Sequence, residues 1–484
     1  MSLFWSVLEN GGLSILSLFA LVIYARFLSP AEFGLVATAL AFIELLSVIT
    51  GMMFHDALIR HPKPTSRHYD TALYTTILLS VVFCLAIIAS SSKFEDLMKE
   101  PGSAEIVAAL SFGLALTGFS ATVSARLKKD FLFKKLALRS LISRALGLLL
   151  GVAAAIWGAG AWSLVIQYIS MSAFSTIILW VYAPRSYTPK FQFGFSELTE
   201  LLKFGSVSVT AILVQHSIKR VFVISCGIYL GAYATGLINM AFRLVDTLWA
   251  ISASSINQVM LPVLSRISHD PKLLRRAYQT GVKLSCTVLF PIFFGLAATA
   301  PVLTSLLFGD KWIDSTLFIL VFSFMIILQA PRIFAFPLLT ALGMPSRVLF
   351  VNVVTFTYMT LIVVTLGIGS YEAAAGIWVG AEVISTVFMA GQLRKVTSMS
   401  VGLQFKNALV PLFSGITMFV LVYFTKNSIQ DLNSKYLELF ILVFVGVVTY
   451  LAVYCIVDLR SLRELFSYLR NLREKGTLGE GASS

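Results

Sequence analysis

The chain has 484 residues, 57% hydrophobic and only 13% charged, with a mean hydropathy of +0.86. A soluble domain is about 45–50% apolar and about 25% charged, so a soluble enzyme, a disordered chain and a small disulfide scaffold are excluded. The net charge of +13 comes from 37 Lys and Arg against 24 Asp and Glu. These cations fall mostly in loops between apolar stretches, so they read as topology determinants and not as a nucleic-acid surface.

The opening MSLFWSVLENGG has no basic region and no small-residue cleavage site follows it, so the first apolar stretch is expected to stay as a transmembrane helix. A crossing needs about 20 apolar residues. By that measure about fourteen spans are predicted: 7–28, 34–54, 71–91, 103–123, 142–158, 161–183, 203–224, 231–255, 280–300, 315–335, 346–367, 372–393, 407–426 and 437–457. Gly158 and Gly160 divide the fifth from the sixth. Alternate loops carry the basic residues: Arg60, Lys63 and Arg67; then Arg126, Lys128, Lys129, Lys134, Lys135 and Arg139; then Arg266, Lys272, Arg275 and Arg276; then Arg394, Lys395 and Lys406. The opposite loops are short and balanced or acidic, as at Asp310, Lys311 and Asp314. The basic side faces the cytoplasm, which puts both termini there. Residues 458–484 read as a short basic tail whose Leu462, Leu465, Phe466 and Leu469 share one helical face against the inner leaflet.

An internal repeat gives the organisation. Leu28 to Gly34 joins spans 1 and 2 with the spacing that Leu230 to Gly236 shows between spans 7 and 8. Gly160-Ala161-Trp162 likewise matches Gly376-Ile377-Trp378. Six spans separate each pair, so both halves insert with the same orientation. The expected fold class is an all-α polytopic membrane protein with two pseudo-symmetric six-helix lobes plus two C-terminal helices. The expected boundaries are 1–202, 203–400, 401–457 and the tail 458–484.

The motifs then resemble a family. Ala25-Arg26-Phe27-Leu28-Ser29-Pro30-Ala31-Glu32-Phe33-Gly34 resembles the first-hairpin motif of bacterial polysaccharide flippases, within the multidrug/oligosaccharidyl-lipid/polysaccharide exporter superfamily. Gly158 to Val165, Gly236 to Leu244, Pro262 to Arg266 with Asp270 and Tyr278, and Phe308 to Trp312 follow in the order the family shows. The chain departs from the family in lacking most of the basic N-terminal tail. It also carries Lys219-Arg220 where span 7 often has an Asp. The resemblance implies a flippase that carries undecaprenyl-pyrophosphate-linked oligosaccharide across the bacterial inner membrane for exopolysaccharide or lipopolysaccharide synthesis. It also implies membrane lipids, a polysaccharide polymerase and chain-length machinery as partners.

Charges within spans are costly and mark cavities or partners. Arg26, Gln215, His216, Lys219, Arg220 and Arg243 are the substrate-lining candidates, because a guanidinium can hold two oxygens of a pyrophosphate and amide or imidazole groups suit sugar hydroxyls. Glu44, Asp246 and Glu382 are candidates for ion coupling or charge pairing, with Arg243 and Asp246 three apart on one helical face. Arg144 and Lys283, near the basic ends of their spans, read as snorkelling cations. Trp162, Trp180, Trp312 and Trp378 read as interfacial belt. Pro291, Pro331, Pro337 and the pair Gly147/Gly151 are candidate bending points. Cys84, Cys226, Cys286 and Cys455 lie in or beside apolar stretches without metal or disulfide spacing, and no metal or cofactor is expected. No outer loop is long enough to carry a catalytic domain, and phosphate-loop, HExxH and GxSxG motifs are missing. The reading is therefore a transporter and not an enzyme. A drug/cation antiporter of the same superfamily is the nearest alternative, and a membrane polymerase or glycosyltransferase a weaker one.

Overall fold

The computed structural model describes residues 2–183, 188–267, 269–429 and 434–478; for 2–8, 10, 204, 207–208, 254–263, 265 and 459–478 it describes the backbone alone. Among the described residues all regular structure is helical. The order is α1 (Ser2–Phe27), α2 (Pro30–Met52), α3 (His55–Arg60), α4 (Ser66–Met98), α5 (Ser103–Lys129), α6 (Phe133–Ile156), α7 (Trp162–Tyr182), α8 (Phe195–Arg266) and α9 (Pro271–Leu307). A 3-10 turn, Asp310–Ser315, leads to α10 (Thr316–Phe324), α11 (Ile326–Arg332), α12 (Ala335–Ala341), α13 (Pro345–Leu366), α14 (Tyr371–Thr397), α15 (Val401–Phe405), α16 (Leu409–Ser428) and α17 (Lys435–Leu478).

Twelve helical stretches are long and apolar enough to cross a membrane, and Gly11–Phe27 is a shorter apolar helix. One of the twelve, Val209–Ala253, has 45 residues, and a straight helix of that length would reach roughly 68 Å, about twice the hydrocarbon thickness. It instead folds back at Gly231, whose φ of 81° suits a residue without a β-carbon. The rings of Phe222 and Phe242 consequently lie 6.0 Å apart, where a straight helix would separate them by about 30 Å. Among the described residues, counting both arms and the shorter first helix brings the apolar helical stretches to about the number expected. The chain is a multi-pass membrane protein.

The chain forms two compact units. The first holds Met1–Ser255, Leu307–Phe318 and Ser346–Ser385; the second holds Ile256–Leu306, Ile319–Pro345 and Thr386–Ser484. The first unit draws on both of the expected lobes.

In the first unit, the family-like motifs converge on the α1–α2 turn. Ser29 caps α2: its hydroxyl accepts from the Glu32 amide, its own amide donates to Glu32 Oε2 at 2.7 Å, and Pro30 opens the helix. Gly160 sits against Glu32, leaving no room for a β-carbon. Trp312 is fully buried, donates from Nε1 to the Ala25 carbonyl at 2.9 Å and meets Phe33 edge-on at 5.5 Å. The two copies of the Leu-to-Gly repeat touch each other. A β-carbon on Gly34 would fall 1.8 Å from the Ala232 carbonyl, and one on Gly236 would fall 1.9 Å from the Pro30 carbonyl. These contacts are reciprocal at one fixed offset in sequence.

Two tryptophans depart from the belt reading. Trp312 is buried as described, and Trp378 is buried against Phe222 and Phe242, with ring centroids 5.1 and 4.7 Å away. Gly147 and Gly151 are packing points rather than bends. Their missing β-carbons admit the Met171 Cβ and the Tyr24 hydroxyl at 2.8 and 2.0 Å.

In the second unit, α9 contains Pro291 and Pro301, and the stretch expected as one span at 315–335 is divided among α10, α11 and α12. Pro331 lies inside α11, where it lacks the amide that would continue the helical ladder, and Pro337 lies in the first turn of α12, where no ladder bond is lost. The Pro331 carbonyl accepts from the buried Tyr278 hydroxyl at 2.9 Å. Lys283, expected to snorkel, instead pairs with Asp458 at 3.1 Å. Helix α17 bends at Asp458 and continues to Leu478. The side chains of Leu462, Leu465, Phe466 and Leu469 lie outside the described set, as do those of Arg460, Arg463, Arg470, Arg473 and Lys475.

Candidate functional site

A cavity of about 310 Å³ lies within the first unit. Helical periodicity explains its walls. Leu164, Gln167, Tyr168 and Met171 recur at the spacing of one face of α7, and Asn239, Phe242, Arg243, Asp246 and Thr247 do so on the second arm of α8. The first arm adds Lys219 and Arg220, α2 adds Glu44, α6 adds Arg144, and α1 adds Ser17.

Four cations and two carboxylates therefore face the cavity. Both carboxylates are occupied. Arg220 Nη2 meets Glu44 Oε2 at 2.5 Å, and Lys219 Nζ donates to Asp246 across the α8 hairpin. Lys219 also sits 4.1 Å from the centre of the Phe242 ring. Asp246 was expected beside Arg243 on its own helix, but the fold-back at Gly231 brings Lys219 to it instead. Arg243 lies 4.7 Å over the Phe33 ring, a cation–π contact. Arg144 donates to the Ser17 hydroxyl at 2.7 Å. Among the described residues neither Arg144 nor Arg243 has a carboxylate within ion-pair distance. The cavity thus carries an excess of two positive charges, on guanidinium groups that can each hold two oxygens.

The sequence candidates separate accordingly. Lys219, Arg220, Arg243, Glu44 and Asp246 line the cavity. Gln215 and His216 are exposed one turn away and do not line it, and Glu382 lies elsewhere, on α14. Arg26 is exposed at the end of α1, outside the cavity; its Nε donates to the Leu307 carbonyl at 3.0 Å and its carbonyl accepts from Lys311. Arg144, read as snorkelling, is a lining residue. Its signal was the small-residue face of its helix, where Ser143, Gly147 and Gly151 mark the side that packs inward. Gln167, Tyr168 and Asn239 were missed because uncharged polar residues in a span leave no mark in a charge count.

A second polar group joins the start of α8 to the α3–α4 loop and the first turn of α4. His61 Nε2 and His68 Nε2 lie 3.0 and 3.3 Å from the two carboxylate oxygens of Glu200, a set with the composition of a metal site. The outer nitrogens decide its chemistry. His61 Nδ1 accepts the Lys63 amide at 3.2 Å, and His68 Nδ1 accepts the Thr65 amide at 3.3 Å. A metal-bound imidazole donates from its second nitrogen, whereas these accept there, so each Nε2 carries its proton and donates to Glu200. The group is suited to a hydrogen-bonded clamp. Those bonds, His68's first, hold the Glu200 carboxyl below the usual carboxylate range. The Ser196 hydroxyl, a backbone amide and Arg67 do the same for Glu197.

Comparison with known proteins agrees with this architecture. Residues 23–317 match the family described as polysaccharide biosynthesis protein. The succinoglycan biosynthesis transport protein ExoT of Rhizobium meliloti is 26% identical over 64% of this chain, and the lipopolysaccharide biosynthesis protein WzxC of Escherichia coli is 21% identical over 64%. The chain spans 62% and 63% of the lengths of these relatives, less than two thirds. Among solved structures, the lipid II flippase MurJ in an inward closed conformation superposes with a TM-score of 0.77 at 14% identity, covering 96% of this chain and 100% of that one. An inward-facing multidrug resistance transporter of the MATE family superposes with a TM-score of 0.63 at 14% identity, covering 80% and 95%.

Proposed function

The chain belongs to the polysaccharide biosynthesis protein family, and from that premise we propose that it is a flippase for oligosaccharide repeat units linked to undecaprenyl pyrophosphate. The observation that carries the proposal is the charge balance of the cavity: both carboxylates are paired, and Arg144 and Arg243 have no carboxylate partner. A pyrophosphate diester brings two ionised oxygens, which match that excess. Charge-assisted bidentate bonds to guanidinium are the strong form of such contacts. Gln167, Asn239 and Tyr168 offer donors and acceptors for sugar hydroxyls. The prenyl chain stays in lipid while the head group occupies the cavity, which opens to one side and then the other.

In this reading the protein sits in the bacterial inner membrane with both termini cytoplasmic, and the basic loops Arg60–Arg67 and 126–139 support that orientation. The membrane potential gives a direction. Moving one charge through 100 mV is worth about 2.3 kcal/mol, so an inside-negative potential favours outward movement of a dianion. A polysaccharide polymerase with its chain-length machinery consumes the flipped units.

The test is leaflet exchange in proteoliposomes, with a fluorescent prenyl-pyrophosphate oligosaccharide and a membrane-impermeant quencher. Exchange above protein-free vesicles, faster under an inside-negative potential, is expected. No exchange with several glycans, potentials and ion gradients would overturn the proposal and turn attention to cation efflux. The paired state of Glu44 and Asp246 does not favour that antiporter reading, because a cationic drug would have to displace Arg220 or Lys219.

A further inference from the structure

Two loops of the first unit turn phenylalanines outward on the same side of the membrane. Phe131, in the α5–α6 turn, is 80% exposed, and Phe191, in the α7–α8 connection, and Phe195, the first residue of α8, are 87% and 78% exposed. Helices α6 and α7 separate the two loops, and two crossings return the chain to the side it left. Phe131 and Phe191 both have left-handed backbone, with φ of 57° and 47°. A bulky side chain disfavours that conformation, and the chain itself gives these two rings little cover in return.

Part of the backbone beneath the Phe191 and Phe195 rings is bonded to its own fold. The amides of Lys190 and Gly194 donate to Asp70 Oδ2 and Thr71 Oγ1 of α4 at 3.0 and 3.1 Å, and Arg67 donates to the Phe193 carbonyl at 3.3 Å. Each peptide group already bonded to its own fold lowers the polar cost of approaching an apolar layer. The surrounding charge is net positive. Asp130 and Glu197 pair with Arg126 and Arg67, and Glu200 is hydrogen-bonded by two neutral histidines and keeps its charge. Lys128, Lys190 and Lys203 are exposed and enter no ion pair among the described residues.

We propose that this face is a docking surface for an anionic lipid leaflet: Phe131, Phe191 and Phe195 insert at headgroup level, and Lys128, Lys190 and Lys203 hold acidic headgroups around them. Internal peptide bonding favours lipid over a protein partner, which would offer hydrogen bonds of its own. The last two turns of α7 before the connection expose Ile177 and Val181 as well.

The test uses nitroxide labels on the full chain in proteoliposomes, with Cys455→Ser removing the one native cysteine that is not buried. Labels are placed through Phe131→Cys, Phe191→Cys and Phe195→Cys, with exposed Gln192→Cys as reference. Collision with oxygen is compared with collision with a water-soluble nickel chelate. In vesicles containing phosphatidylglycerol, the oxygen-to-nickel ratio at the three phenylalanine positions should exceed that at 192 by about threefold or more. In phosphatidylcholine alone, or with Lys128, Lys190 and Lys203 all replaced by glutamine, it should fall. A ratio equal to that at 192 would overturn the proposal and assign the face to a soluble partner. A ratio indifferent to lipid charge and to the three lysines would overturn the anionic headgroup as the occupant. Neither readout depends on transport, so failure here is distinguishable from failure of the flippase reading.

Discussion

Arg243→Gln removes one of the two cavity cations that no carboxylate neutralises, while keeping a polar side chain two bonds shorter. In the folded chain the change forfeits the contact with Phe33 at 4.7 Å, worth about 0.5–2 kcal/mol, so the variant should fold. Its larger effect should fall on the ligand. A hydrogen bond to a charged group contributes about 1.5–3 kcal/mol, and 1.4 kcal/mol is tenfold in affinity. Binding of a short-chain prenyl pyrophosphate to purified protein should therefore weaken roughly 10- to 150-fold. The control is the double variant Glu44→Gln with Arg220→Gln. It removes one charge of each sign from a pair 2.5 Å apart, leaves the excess of two intact, and should bind within about threefold of the parent. Thermal unfolding run in parallel separates folding from affinity. Near-parental binding by the Arg243 variant, or a loss in the double variant as large as in the single, would refute the assignment of binding to the unpaired guanidinium groups.

Other consequences are simpler to read. Gly34→Ala places a β-carbon 1.8 Å from the Ala232 carbonyl, so a backbone shift is unavoidable and destabilisation by about 3 kcal/mol or more is expected. Gly376→Ala, with open space around it, should be neutral or stabilising by up to about 1 kcal/mol, and size-exclusion thermostability compares the two. Ser29→Ala removes the cap of α2 and should cost about 1 kcal/mol in the same assay, with no change in prenyl-pyrophosphate affinity. Glu197 has its carboxyl lowered by folding, so the folded chain binds that proton less readily than the unfolded one. Its contribution is full above the ordinary carboxylate pKa and is lost only as pH falls through the lowered value. Hydrogen exchange of residues 188–200, which lead into and open α8, corrected for intrinsic rates, should then stay level from pH 7 to about pH 5 and rise only below about pH 4. A rise that begins between pH 7 and pH 5 would refute that assignment.

Much of the fold was legible because the bilayer imposes a length rule on each span. Span 7 and span 8 could be separated at Gly231 from their summed length, and the backbone turns back at that residue. Side-chain partners were less legible. Arg243 and Asp246 satisfy the i, i+3 rule, yet that rule knows only one helix, and a hairpin offers Asp246 a competing cation from the other arm. Arg26 lies in the most family-like motif, and that motif works through its cap and through Gly34 and the Ala25 carbonyl. Arg144 showed the reverse error, since proximity to a basic loop suggested lipid headgroups while the small residues beside it faced the protein.

The reciprocal contact between the Leu28–Gly34 and Leu230–Gly236 turns has the form of an isologous interface, in which residue i of one copy meets residue j of the other and conversely. Such an interface is what a half-length polypeptide would use to pair with a second molecule of itself. Joined in one chain, the copies no longer need to be identical. One has kept a Ser-Pro cap and the other a left-handed glycine at the corresponding bend, while the glycine at each centre is held in place by its counterpart. A side chain admitted on either glycine would prise apart both turns at once, so each glycine constrains the other across about two hundred intervening residues.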